Sequence, residues 1–458
     1  MAMPDRLSAL DASFLYLEDS TTPMHVGGVA VFRRPRSGFD YDRLVHLIER
    51  RLSFVPRYRR KVVHVPGRLA RPVWVDDQDF DVTYHVRRSA LPKPGTDRQL
   101  HDLVARLMSR PLDHARPLWE VYLVEGLARN RTAVITKTHQ AMVDGLAAPE
   151  IGQVMLDVSP TPREPAESLW MPEPAPSPAQ LVVDALAEVV QRPGELVENV
   201  RSATLDTVAT VRKVGNAVGG LASAVWSAAT PAPGSPLNVR ISPQRRFAVA
   251  RTRLDDFRAI RGAHGGSVND GVLAVLSGAL RDWLLSRGEV VGSRTTIRAM
   301  APMSVRGDEV AAYLVDLPVG EPNPVVRLHH VSHAMRAHRE SGQSVAAQTL
   351  VRFSGFAPPT LHALGARAAS SFSKRLFNVV VTNVPGPQVP LYAAGARMIE
   401  MFPVVPLAKN QALSIGVTSY DGDVYFGLNA DRDAMPDVDV LAAMVEESVE
   451  ELMGTVSS

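Results

Sequence analysis

Apolar and polar positions fall along the chain in short blocks, and the period of each block predicts an element. Residues 26–32 are almost continuously apolar or glycine, the pattern of a buried strand. Residues 132–138 alternate β-branched or apolar side chains with polar and small ones, the pattern of another. Residues 41–53 set Leu44, Val45, Leu47, Ile48 and Leu52 on one side of a helix, and residues 98–108 do the same with Leu100, Leu103, Val104 and Leu107. Ser8 and Asp11 ahead of Phe14 predict a short capped helix. Residues 74–87 read as one or two strands, 120–125 as another, and 146–156 carry apolar residues at helical spacing. Helix, strand and turn interleave through this half, which predicts an α/β or α+β unit.

Proline is dense over residues 160–178, so this run predicts a connector and not a packed element. Behind it, residues 180–190 and 196–229 read as helical. The pattern then restarts. Strands are predicted over 247–253, 295–305 and 378–383, and helices over 254–263, 268–285 and 328–339; Ser267 is the N-cap of the second helix, with Asp270 three residues on. Residues 413–418 and 423–428 predict a hairpin across Tyr420, Asp421 and Gly422, and an acidic amphipathic helix over 436–453 follows. Two halves of similar size and element mix predict a first domain over 1–158, a connector with a helical linker over 159–245 and a second domain over 246–458, with a cleft between the domains.

Composition narrows this picture. A chain of 458 residues exceeds one hydrophobic core. Its 50 Lys and Arg nearly cancel 48 Asp and Glu, and no long basic run occurs, so no nucleic-acid partner is expected. Zero cysteines exclude disulfides, thiolate metal sites and a cysteine nucleophile. His329, His330, His333 and His338 share a predicted helix, but no carboxylate completes a His-Glu-x-x-His pattern, and no metal is assigned. The N-terminus lacks the basic-then-apolar order of a signal peptide, which predicts a cytoplasmic protein. The uncharged run over 214–239 is rich in Ala, Gly and Ser and contains three prolines; it predicts a helix on its own protein, or on a lipid surface, ahead of a membrane span.

Candidate chemistry concentrates at Thr136-Lys-Thr-His-Gln-Ala-Met-Val-Asp-Gly145, a polar cluster at a strand end before an Asp-Gly turn and a helix. α/β proteins place functional groups at such positions. By itself the stretch has an ordinary explanation too: Asp-Gly is a common turn, and strand-end histidines often bond a nearby carbonyl.

Other stretches occur with it in a definite order: Leu10-Asp-Ala-Ser-Phe-Leu15, Pro23-Met-His25, Pro117-Leu-Trp119, Val268-Asn-Asp270, Met303-Ser-Val-Arg306, Asn383-Val-Pro-Gly-Pro387 and Tyr420-Asp-Gly-Asp-Val-Tyr-Phe-Gly427. On this set the chain resembles the bacterial wax ester synthase/diacylglycerol acyltransferase family of the chloramphenicol acetyltransferase-like superfamily, whose signature is His-His-x-x-x-Asp-Gly. The resemblance implies an α/β (α+β) fold of two chloramphenicol acetyltransferase-like domains, each a mixed sheet flanked by helices, around a central tunnel or cleft. It implies an O-acyltransferase that moves a long-chain fatty acyl group from acyl-CoA, a co-substrate with no further cofactor, to diacylglycerol or a fatty alcohol. The product would be triacylglycerol or wax ester. Partners would be acyl-CoA and a lipid alcohol, with peripheral contact to the inner membrane or lipid droplets.

In that family the second signature histidine is the general base, the aspartate holds the turn and the glycine lets it bend; Asp144 and Gly145 match. Asn269, Asp270, Asn383, Pro385 and Gly386 fall at expected substrate-binding positions, and Arg306 is a candidate partner for Asp144. The first histidine is His139, but the base position holds Gln140. A carboxamide donates and accepts hydrogen bonds but cannot keep an abstracted proton near pH 7. In an extended strand His139 would face away from Gln140. The alternative to an active transferase is therefore a catalytically impaired relative that binds acyl-CoA or neutral lipid.

Overall fold

The computed structural model describes residues 5–36, 38–143, 151–162, 170–191, 231–304, 310–341 and 376–456. In chain order the strands are β1 (His25–Arg33), β2 (Arg60–Val63), β3 (Val73–Asp76), β4 (Val86–Ala90), β5 (Trp119–Leu127), β6 (Arg131–His139) and β7 (Arg245–Arg253). There follow β8 (Ile297–Ser304), β9 (Val310–Leu317), β10 (Val379–Val384), β11 (Tyr392–Ala393), β12 (Ala396–Val404), β13 (Leu413–Tyr420) and β14 (Asp423–Asp431). The helices are α1 (Ala9–Leu17), α2 (Tyr41–Arg51), α3 (Val82–His85), α4 (Asp97–Met108), α5 (Ile151–Val154), α6 (Pro178–Gln191), α7 (Leu254–His264), α8 (Val268–Ser286), α9 (Pro324–Ser341) and α10 (Val438–Gly454).

Two six-stranded mixed sheets carry the fold, ordered β11-β12-β1-β6-β5-β4 and β7-β14-β13-β10-β8-β9. The apolar stripes read from sequence bury as expected: Leu44, Leu47 and Ile48 of α2, and Leu100, Leu103, Val104 and Leu107 of α4, all face the first core. Ser8 caps α1 by accepting from Asp11 N–H, and Ser267 and Asp270 form a reciprocal capping box at the start of α8. The predicted hairpin is the β13–β14 pair, with Tyr420 opposite Asp423.

The two sheets do not each draw on one half of the chain. β12 leaves the second half and pairs antiparallel with β1, with Val29 opposite Phe402, so the first sheet is completed by strands from beyond residue 390. Where β12 crosses the second sheet the backbones nearly touch: a Cβ on Gly427 would sit 1.9 Å from the Pro403 carbonyl oxygen. This explains why the Tyr420–Gly427 stretch ends in glycine, since a side chain there would drive the strands apart.

Some elements differ from the sequence reading. Residues 74–87 are β3 and the start of β4, separated by the helical turn α3, which Asp81 caps by accepting from Thr83 N–H. β2, β9, β11 and β12 had no predicted counterpart. In β12 the pairing slips between Val31–Glu400 and Phe32–Met398, so Ile399 is an extra residue. The apolar residues accordingly fall at 396, 398, 399, 401, 402 and 404, a run with no single period of two for sequence reading to detect. The helix predicted over 196–229 and residues 146–150 of that over 146–156 lie outside the described residues; α5 is the described helical part of the latter.

Candidate active site

β6 ends on His139, and a 3₁₀ turn over Gln140–Met142 follows at once. Two backbone bonds hold this junction: His139 N–H donates to the Leu118 carbonyl at 2.9 Å, and Gln140 N–H donates to the Met24 carbonyl at 2.8 Å. The Pro117–Trp119 segment is thus a structural support, and Trp119 itself is anchored by its indole N–H on the Tyr58 carbonyl at 2.7 Å. Helix α1 packs directly on the turn.

The change from strand to turn separates the two neighbouring side chains. His139 is fully buried and Gln140 half-buried. The His139 Nδ1 accepts Ala141 N–H at 3.0 Å, so the ring proton belongs on Nε2. That Nε2 lies 3.5 Å from Glu18 Oε2. The Gln140 carboxamide has no hydrogen-bond partner among the described residues. Asp144, Gly145 and Arg306 lie outside them.

Glu18, at the C-cap of α1, gathers three histidines. His114 Nε2 bonds its Oε2 at 2.7 Å, His139 faces the same oxygen, and His25 Nε2 stands 3.6 Å from Oε1. His25 and His139 are register partners on β1 and β6. Burial alone would raise the Glu18 carboxyl, but the hydrogen bond from His114 and the closeness of the His139 ring outweigh it and hold the group well below the usual carboxylate range. The same bond to Glu18 raises His114 above an ordinary histidine. Burial, then the Lys137 and His139 charges, push His25 far down. Lys137 is itself buried, its ammonium donating to the Arg110 carbonyl at 2.5 Å and lying 3.5 Å from Glu120. No part of this cluster except His139 was singled out as a site residue from sequence. Glu18 is one acid in a loop, and no spacing rule ties it to residues about a hundred positions later.

Of the second-half candidates, Asn383 and Asn269 meet each other, and none makes a hydrogen bond to His139 among the described residues. Asn383 donates its amide to Asn269 Oδ1 at 3.0 Å, joining the Asn-Asp and Asn-x-Pro-Gly-Pro motifs; the Asn269 amide nitrogen is buried without a partner among the described residues. Asp270 is committed to the cap of α8, through Ser267 N–H at 2.9 Å. Gly386 N–H donates to Ser419 Oγ at 3.3 Å, while Pro385 is exposed. Asn383 aligns across the sheet with Ala250, and Arg245 at the start of β7 donates to the Thr21 carbonyl beside Glu18. Five strand residues, about 17 Å, therefore separate the asparagine pair from that edge. A separate open groove of about 710 Å³ lies between α4, β7 and α10, lined among others by Arg98, His101, Arg106, Arg245 and Glu446; it includes none of the motif residues. Among the described residues no group of side chains is arranged to hold a metal ion, and no helix is long and apolar enough to cross a membrane.

Comparison with known proteins adds a third line of evidence. Residues 7–272 match the wax ester synthase/diacylglycerol acyltransferase catalytic domain, and residues 306–453 match the C-terminal domain of the same proteins. The chain is 50% identical over 262 residues to a probable diacylglycerol O-acyltransferase, tgs3, of Mycobacterium tuberculosis, covering 57% of this chain and 96% of that one. It is 32% identical over 459 residues to a second from the same organism, tgs1, covering 98% and 96%. Among solved structures, the wax ester synthase/diacylglycerol acyltransferase from Marinobacter aquaeolei superposes with TM-score 0.69 at 29% identity, over 99% of this chain and 100% of that one. The starter condensation domain of rhizomide synthetase, solved with C8-CoA and Leu-SNAC, shares the fold at TM-score 0.56 and 14% identity.

Proposed function

The chain belongs to the wax ester synthase/diacylglycerol acyltransferase family, and from that premise we propose that it moves a long-chain fatty acyl group from acyl-CoA to diacylglycerol or a fatty alcohol, making triacylglycerol or wax ester. As an acyltransferase of this type it needs no covalent intermediate. The alcohol oxygen attacks the thioester carbonyl, the new C–O bond forms as the C–S bond breaks, and the alcohol proton ends on the departing CoA thiolate. Gln140 stands where that proton would be collected and can orient the hydroxyl but not retain the proton. Loss of a general base costs about 10²–10⁴ in rate, so turnover is slow.

His139 does not replace the base in this reading. Its Nδ1 is occupied by Ala141 N–H and its Nε2 is turned to Glu18, so it serves to position the turn. Asn269 and Asn383 are assigned to substrate contact, with Gly386 and Pro385 shaping the wall beside them and Asp270 serving through the helix cap. The greasy substrates reach the cleft between the halves from a membrane or lipid-droplet surface. The observation that carries the proposal is the split at the end of β6, where a carboxamide with no hydrogen-bond partner among the described residues follows a buried histidine held through Nδ1 by Ala141 N–H.

That same carboxamide favours a second reading, a relative that binds acyl-CoA or neutral lipid without turnover. CoA release from palmitoyl-CoA plus diacylglycerol separates the two. Gln140→His is expected to raise the rate about a hundredfold or more. Palmitoyl-CoA binding with no release in either form would establish the binding reading, and fast release by the unmodified protein, abolished in His139→Ala, would make His139 the base.

A further inference from the structure

We propose that Glu18 is the positioning residue of the motif turn, and that His114, on the outer side of the same carboxylate, couples this turn to pH. The geometry assigns the role. His139 is held from two sides, by Ala141 N–H on Nδ1 at 3.0 Å and by Glu18 facing Nε2 at 3.5 Å. The first contact defines the 3₁₀ turn that carries Gln140; the second stops the ring from rotating away from it. Glu18 is also the natural anchor mechanically, because it caps α1 through its own N–H on Phe14, and α1 packs on the turn.

The carboxylate has few other supports. Its Oε1 is buried without a hydrogen-bond partner among the described residues, and so are both nitrogens of His25 and the Nε2 of His139. Among the described residues His114 is its one short side-chain contact, and with a side chain 45% exposed it is the member of the cluster open to bulk solvent. A protonated His114 makes a charge-assisted bond to Glu18; a neutral one makes a weaker bond and leaves the buried carboxylate without a counter-ion. The other ionisable groups facing His114 are Asp113, His139 and His64, and those facing Glu18 are His25, His139 and Lys137. Lys137 is engaged by Glu120 and the Arg110 carbonyl, and His25 is driven neutral by burial, so neither takes over from His114.

The sign follows from linkage. Glu18 raises the folded value of His114, so the clamp is complete below the ordinary histidine range and is lost as pH rises through the raised value.

Amide hydrogen exchange on the full chain, corrected for intrinsic rates, tests this without requiring turnover. Protection of residues 139–143 is expected to fall about fivefold as pH rises through the His114 titration, as a charged hydrogen bond becomes a neutral one. In His114→Gln, which donates at every pH, the protection should be flat over that range. In Glu18→Gln it should be low throughout, while β13 and β14 stay protected and report a folded molecule. Unchanged protection in Glu18→Gln, or an undiminished pH response in His114→Gln, overturns the proposal. The consequence for catalysis rests on the acyl-transfer reading: CoA release should follow the same pH course. Absence of release in every form would sink that reading while the exchange data still decide the role of Glu18.

Discussion

At the residue scale the site turns on two adjacent side chains with opposite fates. His139 closes a strand and is swallowed by the core; Gln140 opens a turn and keeps its carboxamide free of partners among the described residues. The sequence announced the substitution at residue 140, because a signature position either holds a histidine or does not. It was silent on Glu18, whose partners His114 and His139 arrive only through folding. A consequence can be measured in stability. Glu18 titrates below its ordinary 4.5 in the folded state, so its contribution is present in full above that value and fades as pH falls toward the folded one. The urea midpoint of the unmodified protein should drop between about pH 5 and pH 3, and Glu18→Gln should show a shallower drop over the same interval. Equal slopes would mean the carboxylate is not held by its histidines.

At the element scale, periodicity identified most helices and strands correctly, since α2, α4 and α10 each bury one stripe, while α8 is buried on every side from Asp270 to Leu280. The exceptions share a cause. β12 carries an extra residue at Ile399, so Arg397 and Glu400, three positions apart, both face the side of Arg33 and Val31, and no single alternation runs through the strand. Its close crossing over β14 gives a sharp prediction. Gly427→Ala places a methyl group against the Pro403 carbonyl oxygen and should lower stability by about 1–3 kcal/mol, read from the denaturant midpoint. Removing the cap of α8 with Ser267→Ala should cost about 1 kcal/mol by the same assay. A Gly427→Ala midpoint equal to that of the unmodified protein would show that the two strands separate freely.

At the scale of the whole molecule, β12 ties the second half to the first sheet. Leu391, Met398, Phe402, Tyr420 and Tyr425 all belong to the first core, while Trp283, Phe257 and Phe426 centre the second. A molecule tied in this way should unfold in one step. Trp119 and Trp283 are both fully buried, one in each core, so single-tryptophan variants can follow each separately. Their urea transitions should coincide; two resolved midpoints would show that the halves are thermodynamically independent.

The sequence by itself determined most of the elements, the position of the motif and the missing base, because helix period, strand alternation and residue identity are local properties of the chain. Its ordered motifs also carried the family resemblance that the relatives bear out. Tertiary structure alone decided that β12 would complete the first sheet, that Asn383 would meet Asn269, and that one carboxylate near the N-terminus would collect three histidines. Those arrangements join residues far apart along the chain. They are selected by the burial and hydrogen bonding of the finished fold, which no local pattern encodes.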